Sequence, residues 1–141
     1  MFDLRDNERL IEWKKFRNSI EHSQSPLQDV ADFWSMAPFV NRYLDPSDTK
    51  SWPDPWHLVL DGKFDNLAIC LGMLYTLQLT QRFMHGKYEI HMSVTPEIKE
   101  PLFYLSVDRS FILNYTYKQV VEYDHRLLQD TTPVFSTAKE K

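Results

Sequence analysis

WPDPWHLVLDGKFDNLAICLGMLYTLQL, Trp52 to Leu79, decides how this chain folds. It joins a Trp/Pro-rich turn to a helix that is apolar nearly all round. Asp54-Pro55 places a capping carboxylate before a proline at the first helical position, so Trp56 to Leu60 reads as a short helix or turn. Asp61-Gly62 breaks the chain again. The helix that follows is expected from about Phe64 to Phe83, with His85-Gly86 closing it. Leu67, Cys70, Leu71, Leu74 and Leu77 share one face, and Ala68, Ile69, Met73 and Leu79 cover much of the other. A helix with no polar face is surrounded by protein. Gly72 stands in its middle, where glycine costs about 1 kcal/mol relative to alanine, so another element is expected to approach closely there.

Upstream of this stretch the pattern is helical. Leu10, Trp13, Phe16 and Ile20 fall near one face of a charged segment from about Asp6 to Glu21. Ser25-Pro26 starts a second helix carrying Leu27, Val30, Phe33 and Trp34, and Ala37-Pro38 ends it. Asp45 to Asp54 is a turn-rich connector.

Downstream of Gly86 the period changes to two. Tyr88, Ile90, Met92 and Val94 alternate with Glu89, His91 and Ser93. Thr95 to Pro101 reads as a hairpin-like loop. Leu102 to Val107 is a second strand with Phe103, Leu105 and Val107 on one face. Phe111 to Tyr117 is a third, and Gln119 to Tyr123 extends it or adds a fourth. Short consecutive strands with short links favour an antiparallel sheet, and helices before strands indicate α+β. The expected architecture is one domain over residues 1–141: a helical part at 1–44, a central helix with an antiparallel sheet at 52–124, and a loose polar tail at 129–141.

Composition narrows the function classes. Three glycines argue against a Gly-rich phosphate loop. A net charge of −4 without a basic block argues against nucleic acid as the main partner. His22, His57, His85, His91 and His125 are scattered, with neither an HExxH pattern nor Cys/His zinc spacing, so no metal and no cofactor are implied. Cys70 is the only cysteine, which forbids an intrachain disulfide and suits a reducing cytoplasm. MFDLRDNERL lacks a signal-peptide pattern, and no apolar run reaches the roughly 18 residues of a membrane span. No membrane partner is expected.

A buried helix followed by a His strand and a strand ending at an Asp is the layout of a Cys-His-Asp hydrolase. From about Trp56 to Asn114 the chain resembles the transglutaminase-like and papain-like proteins. That resemblance implies a Cys at the helix start, activated by the helix dipole, with a His on an adjacent strand as base and an Asp as orienter. Such families often carry Gly-Asp-Cys-Glu-Asp-Phe-Ala-Leu there. Here the run is Gly62-Lys63-Phe64-Asp65-Asn66-Leu67-Ala68-Ile69, with Phe64 in the place of the Cys. The Trp-Pro-x-Pro-Trp element before the helix also resembles small transglutaminase-like proteins of tailed bacteriophages, which implies a virion or assembly component. The reading is a pseudoenzyme scaffold that contacts other proteins, possible virion subunits among them, and is made in the host cytoplasm.

The rival reading is an active cysteine hydrolase or acyltransferase with Cys70 as nucleophile, His91 as base and Asp108 as orienter. Each residue has a plainer reading: Cys70 as a small core hydrophobe, His91 as a hydrogen-bonded strand residue, Asp108 as a turn cap or partner of Arg109. Trp13, Phe16, Trp52 and Trp56 are the candidate contact residues, since aromatics are enriched at interfaces. The plainer reading of Trp52 and Trp56 is a loop packed onto its own core, and that of the charged helix carrying Trp13 and Phe16 is a solvated face.

Overall fold

A computed structural model describes residues 1–39, 44–94, 97 and 100–137. Among the described residues four α-helices come first: α1 (Asp6–Ile20), α2 (Pro26–Trp34), α3 (Pro55–Asp61) and α4 (Asn66–Gln78). Five strands follow: β1 (Tyr88–Ser93), β2 (Leu102–Val107), β3 (Phe111–Leu113), β4 (Val120–Glu122) and β5 (Thr132–Ser136). They form one antiparallel sheet in the order β4-β3-β2-β1-β5. The expected α+β class, with a buried central helix on a small antiparallel sheet, is what the chain adopts. Most of the loop read from Thr95 to Pro101, and residues 138–141 of the tail, lie outside the described residues.

The main core lies between α4 and the sheet, closed by α1, α2 and α3. Leu67, Cys70, Leu71, Leu74 and Leu77 of α4 are buried among Tyr88, Ile90, Phe103, Leu105 and Val107 of the strands. One buried hydroxyl organises the helices: Thr76 accepts the indole N–H of Trp13 and that of Trp34, each at 2.9 Å, and donates to the Gly72 carbonyl. Gly72 does mark a close approach. A Cβ there would stand 2.4 Å from the six-membered ring of Trp34, so only glycine lets α2 and α4 meet.

Capping follows the sequence in part. Asp54 accepts from the His57 amide at the start of α3, and Gly62 ends that helix with φ +66°. Ser25 occupies the N-cap of α2 without a capping bond from its side chain. α4 is shorter than its apolar run suggested. It stops at Gln78 rather than near Phe83, and His85-Gly86 does not cap it. The reason is tertiary: the Glu21 carboxylate accepts from the amides of Gln81 and Arg82, and the Arg82 guanidinium donates to the carbonyls of Ile20 and Ser23. This lashes the ends of α1 and α4 together and turns the chain.

The sheet departs from expectation at both edges. β3 ends at Leu113 because Asn114 and Lys118 take left-handed backbone (φ 66° and 62°), which makes a turn before β4. The segment from Gln129, read as loose tail, instead holds β5, an edge strand on β1 whose ladder continues where the Thr137 amide donates to the Tyr88 carbonyl. Its polar TPVFS sequence gives no apolar alternation; pairing with β1 and contact of Val134 and Phe135 with the core hold it. Behind the sheet, Tyr104, Ile112 and Leu128 form a second small cluster, so β2 is covered on both faces.

Candidate functional site

The start of α4 is where this layout would carry its nucleophile. After Gly62 the chain extends through Phe64, which is fully buried and meets Phe2 and Trp34 edge to face at 5.5 and 5.4 Å. Asp65 caps the helix by accepting the Ala68 amide at 2.8 Å. Asn66 opens the helix, and its Oδ1 accepts the Phe103 amide at 2.7 Å and Asn114 Nδ2 at 3.3 Å. Asn114 Nδ2 also donates to the Phe103 carbonyl at 2.8 Å. Two amide side chains thus tie the helix start to β2 and to the end of β3. A phenyl ring and two carboxamides make up this junction. None of the three can be a nucleophile or take up a proton near neutral pH.

A cleft of about 340 Å³ opens beside this junction, lined by Trp34, Phe39, Asn66, Met73, Asn114 and Tyr117 among others. Ser35, Thr116 and Lys118 add hydroxyls and a cation to its apolar and amide walls. Asn66 and Asn114 were not singled out from sequence. The one local signal is that asparagine tolerates the left-handed backbone Asn114 adopts (φ 66°).

The structure does not bring Cys70, His91 and Asp108 together. Cys70 is fully buried in α4 on the helical side of the sheet, and burial pushes its thiol pKa up, away from the activated range. His91 alternates with Ile90 and Met92 and lies opposite Tyr104, so it projects on the other face of the sheet from Cys70. Its ring contacts Glu89 (Nε2 to Oε1, 3.4 Å) and the Thr131 hydroxyl (Nδ1, 3.2 Å). Asp108 lies just past the Tyr88–Val107 pair, about four strand residues or ~13 Å along from His91. It has left-handed backbone (φ 53°), and its carboxylate accepts the Lys87 amide at 2.6 Å, closing the end of the β1–β2 ladder. The neighbouring Arg109 pairs not with Asp108 but with Glu89, at 2.9 Å.

The four aromatic contact candidates divide as sharply. Trp13 is fully buried, with its indole N–H spent on Thr76, so it is a core residue. Phe16 is half-buried and stacks on Phe33 at 3.9 Å. Trp52 is half-buried too: it donates to the Asp45 carbonyl at 2.8 Å and leans on Phe135. Trp56 alone of the four is exposed, at 44%.

No family model matches the chain, and no curated protein matches it. Solved structures do. Calcium-bound LapG of Legionella pneumophila superposes with a TM-score of 0.69 at 15% identity, covering 96% of this chain and 77% of LapG. A second LapG structure gives 0.67 at 16% identity, covering 94% and 76%. EGTA-treated LapG gives 0.67 at 15% identity, covering 93% and 73%. The fold is transglutaminase-like. It matches LapG about equally well with calcium and after EGTA treatment, so the likeness does not turn on the ion. Calcium takes six to eight oxygen ligands. Among the described residues no three His, Cys, Asp or Glu side chains gather into one cluster.

Proposed function

We propose that this chain is a non-catalytic transglutaminase-like domain, a pseudoenzyme scaffold whose role is protein–protein contact in the particle or assembly of a tailed bacteriophage. The observation that carries the reading is the junction at the start of α4. There Phe64 is sealed in the core and Asn66 and Asn114 are bonded to the Phe103 backbone, so the junction is made of fold-holding contacts. The buried Cys70 supports it, because a thiol in apolar surroundings behaves as a small hydrophobe. The phage setting rests on the Trp52–Leu79 sequence resemblance, and a single free cysteine suits synthesis in a reducing host cytoplasm.

Iodoacetamide labelling of Cys70 against pH, in native and denatured protein, tests the non-catalytic part. Labelling confined to the unfolded chain is expected. Rapid native labelling with an apparent pKa well below about 8.5 would sink the reading. Co-sedimentation of the chain with assembled particles tests the setting. Trp56→Ala is expected to weaken incorporation, and His91→Ala to leave it intact.

A further inference from the structure

The C-terminal half of α1 carries a cation, Arg17, that has no counter-charge among the described residues. The Arg17 guanidinium lies over two indoles, its Cζ 4.5 Å from the centre of the Trp13 ring and 5.4 Å from that of Trp56. The rings meet edge to face at 5.7 Å, so Arg17 bridges the α1–α3 contact. Its Nε is buried with no hydrogen-bond partner, while the terminal nitrogens reach solvent. Among the described residues Arg17 makes no hydrogen bond or ion pair.

The acids within reach of this neighbourhood are committed. Glu21, one turn on along α1, accepts the amides of Gln81 and Arg82. Asp54, at the start of α3 beside Trp56, holds the amide and ring of His57. Glu12 pairs with Lys15. Lys14, one turn before Arg17, adds a like charge. A partly desolvated cation without an anion is a cost that the two ring faces offset only in part. Its contact with both rings also means that little side-chain freedom is left to lose on binding.

We infer that Arg17 and Trp56 form a docking point for a partner protein, which seats an Asp or Glu carboxylate on the Arg17 terminal nitrogens and an apolar side chain on the exposed Trp56 ring. Resting on the protein-contact reading above, this names the partner's chemistry. A carboxylate accepts two parallel N–H bonds from a guanidinium. Trp and Arg are the residues most enriched at the energetic centres of interfaces. A single arginine on a chain of net charge −4 is a poor site for a polyphosphate or an anionic membrane, which need clustered cations.

The test is an NMR titration of the full chain, following the Arg17 Nε–H and Trp56 indole N–H signals. The probes are a capped Leu-Glu dipeptide, its Leu-Gln counterpart and inorganic phosphate. The Glu peptide is expected to shift both signals and to bind about tenfold more tightly than the Gln peptide. Arg17→Met, with signal dispersion confirming the fold, is expected to abolish that preference. Equal response to both peptides, equal response to phosphate, or a preference that survives Arg17→Met would overturn the docking point. If both signals stay still while Cys70 is protected, the docking point alone falls. Native labelling of Cys70 with the Arg17 shifts intact would remove the non-catalytic reading and leave the docking point standing.

Discussion

The ring of Trp34 rests directly on Gly72, with 2.4 Å between the ring edge and the place a Cβ would take. Real Cβ contacts do not come that close, and both residues lie in rigid surroundings: a large aromatic cluster on one side, a buried helix on the other. Gly72→Ala should therefore destabilise the fold by about 1–3 kcal/mol through overpacking, although alanine is the better helix former by about 1 kcal/mol. A fall in the urea midpoint with an unchanged slope is the expected result.

Thr76 holds the same junction by hydrogen bonding. Replacing it with valine keeps the shape and leaves the indole N–H groups of Trp13 and Trp34 without their acceptor, both in the core. Thr76→Val is expected to cost about 2–6 kcal/mol, since each of the two buried orphan donors costs about 1–3. Thr76→Ser keeps the hydroxyl and should lose only about 1 kcal/mol for the missing methyl. Denaturation curves of the two variants would separate polar satisfaction from packing; equal losses would contradict it.

These two junctions show what the sequence made legible. Gly72 in a run of Leu announced a close approach, and the all-round apolar pattern announced a central helix. That signal comes from burial, which acts on every residue of α4. The two indoles meeting on Thr76 were not legible, because Trp13, Trp34 and Thr76 are far apart in the chain and their bonds depend on how three helices cross. At the candidate site Phe64 at the helix start was legible residue by residue. The amide tie that stands beside it was not, since Asn66 and Asn114 become neighbours only once β2 and β3 pair. His91 and Asp108 looked like a pair because they stand on adjacent strands. Alternation along β1 sends His91 to the face away from Cys70, and register puts Asp108 four residues from it.

Arg9 ties the N-terminal helix to the end of α3. Its guanidinium donates to the carbonyls of Val59 (2.9 Å) and Leu60, which end α3, and to that of Leu4 (2.6 Å). The side chain is only 12% exposed, so these bonds are shielded from water. Arg9→Met would keep the stem and leave the carbonyls bare, at an expected cost of about 2–3 kcal/mol. Arg9→Lys should recover little of it, because an ammonium cannot reproduce the fork. Thermal unfolding of the three proteins side by side checks the order.

The loop behind the sheet should loosen in acid. Bonds from the Arg126 guanidinium, with a further bond from its backbone N–H, hold the Asp124 carboxyl down to about 2. Asp124 caps the 3₁₀ turn His125–Leu127, which lays Leu128 over Tyr104 and Ile112. A carboxyl whose folded pKa is depressed adds stability that is present above its unfolded value, about 3.9, and is lost as pH falls through the folded one. Leu128 methyl signals should keep their folded positions at pH 5 and move between about pH 4 and pH 2. Asp124→Asn should flatten that response, and a wild-type loop that moves equally above pH 5 would contradict the assignment.

A chain cut after Thr131 loses β5 and bares the hydrogen-bonding edge of β1. Val134 and Phe135 leave the core margin, and the Trp52 ring loses its neighbour Phe135. Removing two half-buried apolar side chains together with a strand's ladder should lower stability by about 3 kcal/mol or more. The exposed edge is an open template for another strand, so the shortened chain should also self-associate as its concentration rises. A chain cut after Thr137 keeps β5 and the Thr137–Tyr88 pairing, and should behave as the full length. Sedimentation velocity on the two shortened chains separates the alternatives. If the cut after Thr131 stays monomeric and as stable as the longer chain, β5 is dispensable, and the polar segment from Gln129 is no more than the loose tail its composition suggested.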